Sequence, residues 1–132
     1  MSNITILPAS LAPHLHAALR IMTGLLFLAH GTSKLLGFPH DPNFDRLTLF
    51  SFMGLAGALE LVGGALIVVG LFTRPVAFVL AGMMAVAYFM AHGSKGFFPS
   101  LNGGDAAILF CFVFLYLAAA GPGPWSLDRD RA

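Results

Sequence analysis

One carboxylic acid lies in the middle of an apolar stretch, and its position is the first that suggests chemistry. Glu60 is the single charged residue between Leu47 and Thr73. The residues three and four positions away share one helical face with it, and all are small: Ala56, Gly57, Gly63 and Gly64. Small residues permit close helix approach or leave a cavity beside the carboxyl group. Glu60 is therefore either the centre of an interior site or a structural carboxyl that hydrogen-bonds a neighbouring helix.

A stripe of polar, small and aromatic residues recurs at steps of three and four in the first apolar segment: Arg20, Thr23, Gly24, Phe27, His30, Gly31 and Lys34. The residues between them mostly suit lipid, so the stripe should face other helices. From a helical rise of ~1.5 Å per residue, Arg20 lies ~9 Å from the depth of Glu60 and His30 ~6 Å on the other side. Arg20 and His30 are thus the predicted partners of Glu60. Lys34 is better explained as a lysine that reaches the membrane surface.

Additional polar residues lie toward the same membrane surface as His30 and Lys34. The third apolar segment ends near His92 and Lys95, and the fourth begins near Asn102 and Asp105. Asp105 alone suits the first turn of any helix. Contributions from three helices to one face nevertheless predict a ligand-binding or proton-relay site. Its candidate residues are Glu60, His30, Arg20, His92, Lys34, Lys95, Asn102 and Asp105.

The sequence contains few residues arranged to bind a metal ion or a haem. Cys111 is the only cysteine, so an internal disulfide and a cysteine-based metal cluster are excluded. His30 and His92 are candidate ligands of one haem in a helical bundle. Helical rise places them ~5 Å apart along the membrane normal, which is awkward for a single iron. We therefore expect no metal site and disfavour haem.

The composition shows which elements position these residues. The chain of 132 residues is 58% hydrophobic and only 10% charged, against ~25% charged in ordinary soluble domains. Its apolar runs predict four membrane spans near 15–36, 48–72, 75–94 and 104–121. The short connection at 72–75 makes spans two and three antiparallel neighbours. The expected fold is all-α, an antiparallel four-helix transmembrane bundle that forms one domain over 1–132.

The charged residues indicate whether nucleic acid is an expected partner and how the chain is oriented in the membrane. A formal net charge of +1 without a basic run gives no reason to expect nucleic acid. Four spans place both termini on one side of the membrane. Four basic residues lie on that side, Arg20, Arg74, Arg129 and Arg131, and three on the other, Lys34, Arg46 and Lys95. This excess predicts that both termini are cytoplasmic.

Several motifs in combination resemble the DoxX family over roughly residues 15–128. They are Arg20…Gly24…Phe27…His30-Gly31…Lys34, Glu60-Leu-Val-Gly-Gly64, Gly70-Leu-Phe-Thr-Arg-Pro75, Asn102-Gly-Gly-Asp105 and Gly121-Pro-Gly-Pro-Trp-Ser-Leu127. Asp105 departs from the pattern, in which Glu usually follows Asn-Gly-Gly. The resemblance implies a four-helix protein of the bacterial inner membrane. The family takes its name from a subunit of a thiosulfate:quinone oxidoreductase, and members are often labelled oxidoreductases.

Three classes of function remain open. The first is a membrane subunit or accessory of a redox system, possessing a quinone site beside Glu60 and acting with protein partners. The second is a non-catalytic scaffold, chaperone or lipid-binding protein, which the lack of a nucleophile constellation or nucleotide loop favours for the isolated chain. The third is a small-solute pathway, and four short spans would need a homo-oligomer to form one.

Overall fold

The computed structural model describes residues 4–128, and every regular element in that range is helical. Four helices have at least 16 residues: α1 (Ala12–Leu36), α2 (Phe52–Val69), α3 (Thr73–Ala91) and α5 (Asp105–Ala120). The helix α4 (Pro99–Asn102) is one turn long, and short 3-10 turns occupy Ala9–Leu11, Pro42–Phe44 and Gly93–Lys95. The all-helical prediction is confirmed.

Three of the described helices are long and apolar enough to cross a membrane. They occupy Ala9–Leu36, which includes the first 3-10 turn, Phe52–Val69, and Thr73–Lys95, which includes the third. The predicted fourth span corresponds to α5, which is apolar but has 16 residues and is therefore about 24 Å long at ~1.5 Å per residue. Two arginines of the predicted charge pattern, Arg129 and Arg131, lie outside the described residues.

The second span begins later than predicted because a side-chain cap starts it. The Ser51 hydroxyl accepts a hydrogen bond from the Gly54 backbone N–H at 3.0 Å, as is typical of a helix N-cap. Gly70 ends α2 with a φ of +71°, a conformation that favours glycine. Only Gly70, Leu71 and Phe72 separate α2 from α3, so these helices remain neighbours along the chain.

Helices α1 and α2 touch backbone to backbone through glycines. A Cβ at Gly31 would lie 2.5 Å from the Leu61 nitrogen, and one at Gly64 would lie 2.8 Å from the Leu28 nitrogen. Farther along, a Cβ at Gly24 would approach the backbone of Val68. Residue numbers rise along one helix as they fall along the other, so the two helices run in opposite directions. This contact fixes which residues of α1 meet Glu60.

We expect Gly31→Ala to destabilise the folded protein by about 1–3 kcal/mol, the usual cost of overpacking, since its methyl group would press on backbone that cannot rotate away. Gly82→Ala on α3 is the matched control, because a Cβ there meets nothing within 4 Å. The control variant should be neutral or slightly stabilised by the higher helix propensity of alanine. Denaturant titration in mild detergent measures both. Equal stability of the two variants would contradict the packing account.

The core joins all four long helices. Its largest buried apolar side chains come from all four long helices: Phe27, Ile67, Leu80, Phe114 and Leu117. Helix α3 packs along α5 as α1 packs along α2. Many apolar side chains instead face outward, among them Met22, Val62, Val79 and Leu109, each more than half exposed. Such an apolar exterior suits lipid and would be unusual for a soluble monomer.

Candidate functional site

Glu60 is paired with Lys34. The Lys34 ammonium donates a hydrogen bond to Glu60 Oε1 in a short ion pair. Glu60 is 2% exposed, and the Lys34 side chain 11%. Gly57 makes this approach possible, because a Cβ there would lie 3.1 Å from Lys34 Cβ. The second carboxylate oxygen, Oε2, is buried without a hydrogen-bond partner among the described residues.

The ion pair lies at the wall of a cavity of about 760 Å³. The cavity is bounded by the C-terminal halves of α1 and α3 and the N-terminal halves of α2 and α5, so it occupies the half of the molecule nearest the 37–51 and 92–104 loops. Its walls are mostly apolar, with Phe27 and Phe110 beside Met83 and Met84. The polar residues that line it are His30, Lys34, Glu60 and His92.

The cavity opens sideways between α2 and α3. Lining residues on both helices are exposed, including Leu55 at 57% and Val86 at 51%. On α3, Gly82 also lines the cavity without a side chain, and a Cβ there would meet nothing within 4 Å. In a bilayer this opening would face acyl chains. A ligand with an apolar tail could therefore enter without crossing water.

Both cavity histidines are held by backbone carbonyl groups. His30 Nδ1 lies 2.8 Å from the Leu26 carbonyl oxygen, and its ring meets the Phe110 ring edge-on at 5.9 Å between centroids. His92 Nδ1 lies 3.1 Å from the Asn102 carbonyl oxygen. Each ring thus has a fixed orientation while it lines the cavity.

The remaining loop-side candidates divide into one structural residue and two exposed ones. Asn102 is buried: its side-chain amide donates to Tyr88 Oη and to the Gly96 carbonyl oxygen, both at 3.0 Å, and its oxygen accepts from the Gly104 N–H. Asn102 therefore holds the 96–104 loop against α3 and positions His92. Lys95 and Asp105 are exposed and do not line the cavity.

Arg20 is not a partner of Glu60, and this prediction is wrong. The fully buried guanidinium donates to four backbone carbonyls: Nε to Ile67 at 3.0 Å, Nη2 to Trp125 at 2.6 Å, and Nη1 to Pro122 and to Pro124. Lys34, which the sequence predicts to reach the membrane surface, is instead the residue that pairs with Glu60. Most of the α1 stripe is buried as expected, but Lys34 and not Arg20 is its contact with Glu60.

The chain after α5 folds back over the opposite end of the molecule from the cavity. Arg74 donates to the Ala119 carbonyl in the last turn of α5, and His16 Nε2 donates to the Gly121 carbonyl directly after it at 2.8 Å. The Asp128 carboxylate accepts from the backbone N–H groups of Phe72 and Thr73 at 2.9 and 2.7 Å and so caps α3. Sequence reasoning assigned no role to His16. The one available signal was the unusual Gly-Pro-Gly-Pro run at 121–124, which places several free carbonyls in sequence.

A metal centre finds no support in residues 4–128, where no group of three or more His, Cys, Asp or Glu side chains is arranged to hold an ion.

Comparison with known proteins identifies the family to which the chain is similar. The DoxX family model matches residues 15–93. A Haemophilus influenzae protein named "Uncharacterized protein" is 43% identical over 105 residues, 76% of this chain and 78% of that protein. A Bacillus subtilis protein named "Putative oxidoreductase CatD" is 42% identical over 65 residues, 48% of each chain. No solved structure matches the chain.

Proposed function

Because the chain belongs to the DoxX family of membrane proteins, we propose that it is the membrane subunit or accessory of a quinone-linked redox system. Its cavity binds the head of a lipid-soluble quinone, and the tail leaves through the opening between α2 and α3. The observation that carries this proposal is one mostly apolar cavity of about 760 Å³ that contains a buried ion pair and two histidines.

The lining fits a quinone in size and chemistry. Ligand sites of about 300–1,000 Å³ with apolar walls and a few convergent polar groups are typical for small molecules. The ring would lie among Phe27, Phe110 and Met83, whose side chains line the cavity. Lys34 supplies an N–H donor for a quinone oxygen. Quinone chemistry also moves protons, and Glu60, His30 and His92 are groups that can hold or transfer them.

Reduction of a quinone requires a source of electrons. Residues 4–128 bring together no group of three or more His, Cys, Asp or Glu side chains that could hold a metal ion, and the cysteine, Cys111, packs against the apolar core. We therefore propose a protein partner that carries the redox centre, with this chain supplying the quinone pocket in the bilayer. The oxidoreductase name of the Bacillus subtilis relative is consistent with such an assignment.

We propose further that the chain forms one integral domain of the bacterial inner membrane, an antiparallel four-helix bundle. The 16 residues of α5 are too few to cross ~30 Å of hydrocarbon, so 99–104 and 121–128 complete this fourth crossing at its two ends. Both termini are placed in the cytoplasm, and the cavity opens into the outer half of the bilayer. Cysteine labelling of loop residue Asn43 from the outside of intact cells tests this orientation, which labelling only from the cytoplasm would contradict.

Filling the opening tests the proposed function. In Gly82→Leu the leucine side chain should project into the open space and occupy the route of the quinone tail. Binding of a short-chain quinone should fall at least tenfold. Gly82→Ala is the control and should bind normally, since both variants remove the glycine and only leucine fills the opening. Equilibrium binding to protein in lipid nanodiscs, corrected with empty nanodiscs, measures the effect. Equal binding by both variants would contradict the cavity as the quinone site.

A further inference from the structure

The two histidines of the cavity use the same ring nitrogen in the same way. Nδ1 of each ring is within hydrogen-bond distance of a backbone carbonyl, that of Leu26 for His30 and that of Asn102 for His92. A carbonyl oxygen can only accept a hydrogen bond, so each Nδ1 carries the proton. In a neutral imidazole, Nε2 is then left with a lone pair and acts as an acceptor.

The fold holds both rings in this state. The carbonyl that receives the His30 proton belongs to the preceding turn of the same helix, so the helix itself holds this acceptor in place. The carbonyl that receives the His92 proton belongs to Asn102, whose side chain is fixed by hydrogen bonds to Tyr88, Gly96 and Gly104. Turning either ring would lose its carbonyl hydrogen bond. Each of these two lining imidazoles therefore keeps Nε2 as its hydrogen-bond acceptor.

We propose that the cavity selects an amphiphile whose ring head carries hydroxyl donors, of which a hydroquinone is the simplest, over the corresponding quinone. This inference rests on the proposed function and specifies which form of the ligand binds best. A hydroxyl group donates to an Nε2 lone pair, whereas a quinone carbonyl has no hydrogen to donate and would oppose one lone pair with another.

The other polar groups of the cavity do not offset this preference. Lys34 can donate to an oxygen of either form, so it contributes to the binding of both. Glu60 Oε1 is occupied by Lys34, and Oε2 is enclosed by protein. Discrimination between the two forms then depends on the imidazoles.

Three ligands with the same decyl chain separate the possibilities: a benzoquinone, its hydroquinone, and the dimethyl ether of that hydroquinone. Their affinities would be compared without oxygen, by displacement of a radiolabelled quinone from protein in nanodiscs. We expect the hydroquinone to bind at least about tenfold more tightly than the other two, as one net hydrogen bond provides. Equal affinities, or tighter binding of the quinone, would overturn the inference and leave the proposed function standing. If no ligand binds, the proposed function fails and the inference fails with it.

Variants locate the preference within the molecule. His30→Phe and His92→Phe together remove both acceptors, and should lower the hydroquinone preference to about onefold while quinone binding changes little. His40→Phe is the control, because His40 is exposed in the 37–51 loop, away from the cavity, and pairs with Asp45. A ratio of two affinities in one protein is insensitive to the fraction of molecules that fold. Persistence of the full preference in the double variant would overturn the inference.

Discussion

Replacing Lys34 by methionine is expected to destabilise the folded protein by about 3–5 kcal/mol, the cost of leaving a buried charge without its partner. Glu60 is nearly inaccessible, and within residues 4–128 Lys34 is the residue that hydrogen-bonds its carboxylate. Methionine keeps the length and apolar stem of the lysine and removes only the ammonium group. Unfolding in detergent, followed by circular dichroism, measures the loss.

Two companion variants separate the ion pair from a general effect of removing a charge. Lys95→Met should change stability by less than about 0.5 kcal/mol, because Lys95 is exposed. The double variant Lys34→Met with Glu60→Met should recover most of the lost stability, since two apolar side chains can replace a buried pair at little cost. Equal effects of the Lys34 and Lys95 substitutions would show that the ion pair contributes nothing.

Arg20→Met should have an effect of similar size, on the order of 3–5 kcal/mol, because hydrogen bonds to a charged group are among the strongest in a fold. The substitution leaves four carbonyl groups without their donor and removes the positive charge on which Asp128 acts electrostatically. Arg20→Lys should recover little, since an ammonium group cannot reach four carbonyls in the geometry of a guanidinium fork.

Trp125 reports this change directly. It is the only tryptophan in the chain, its carbonyl accepts from Arg20, and its ring lies 5.3 Å from that of His14. We expect a shifted emission maximum in Arg20→Met as the segment loses its anchor. Arg46→Met, at an exposed position in the 37–51 loop, is the control and should leave the emission unchanged. Native-like emission in Arg20→Met would contradict the anchoring role.

Helical pattern alone sufficed for much of the helical fold and for the inward position of Glu60. Glu60 stands out because it is the one charge within a long apolar run, and the small residues around it face other helices as predicted. Gly57 and Gly64 lie against α1, whereas a Cβ at Gly63 would meet Leu80 of α3. The spacing of three and four residues also predicts that the α1 stripe faces inward. Arg20, Phe27 and Gly31 are all buried.

Depth along the bundle could not be obtained in the same way. Depths counted at a constant rise per residue from the predicted span ends put Glu60 about midway between Arg20 and His30. The glycine contact instead sets Glu60 and Leu61 level with Gly31, and this places Lys34 beside the carboxyl. A shift of about five residues, nearly one and a half helical turns, in the register of the two helices was enough to make Lys34 instead of Arg20 the partner of Glu60, because each residue adds ~1.5 Å of depth.

The return of the 121–128 segment was beyond sequence reasoning for a different reason. Its contacts with Arg20 and His16 use backbone carbonyls, and every residue has a carbonyl, so side-chain types carry no signal for this pairing. The buried guanidinium was visible in the sequence only as an arginine near a span end. Such residues usually extend to the lipid headgroups.

The most direct test of the account is to map where a quinone sits in the protein. A photoreactive azidoquinone would be bound to the protein in nanodiscs, activated by light, and its adducts located by mass spectrometry. The account predicts adducts on cavity residues such as Met53, Met83 and Met90, with loss of labelling in Gly82→Leu and normal labelling in Gly82→Ala. Adducts confined to the outer faces or to the end of the molecule near Trp125, unchanged in Gly82→Leu, would contradict it.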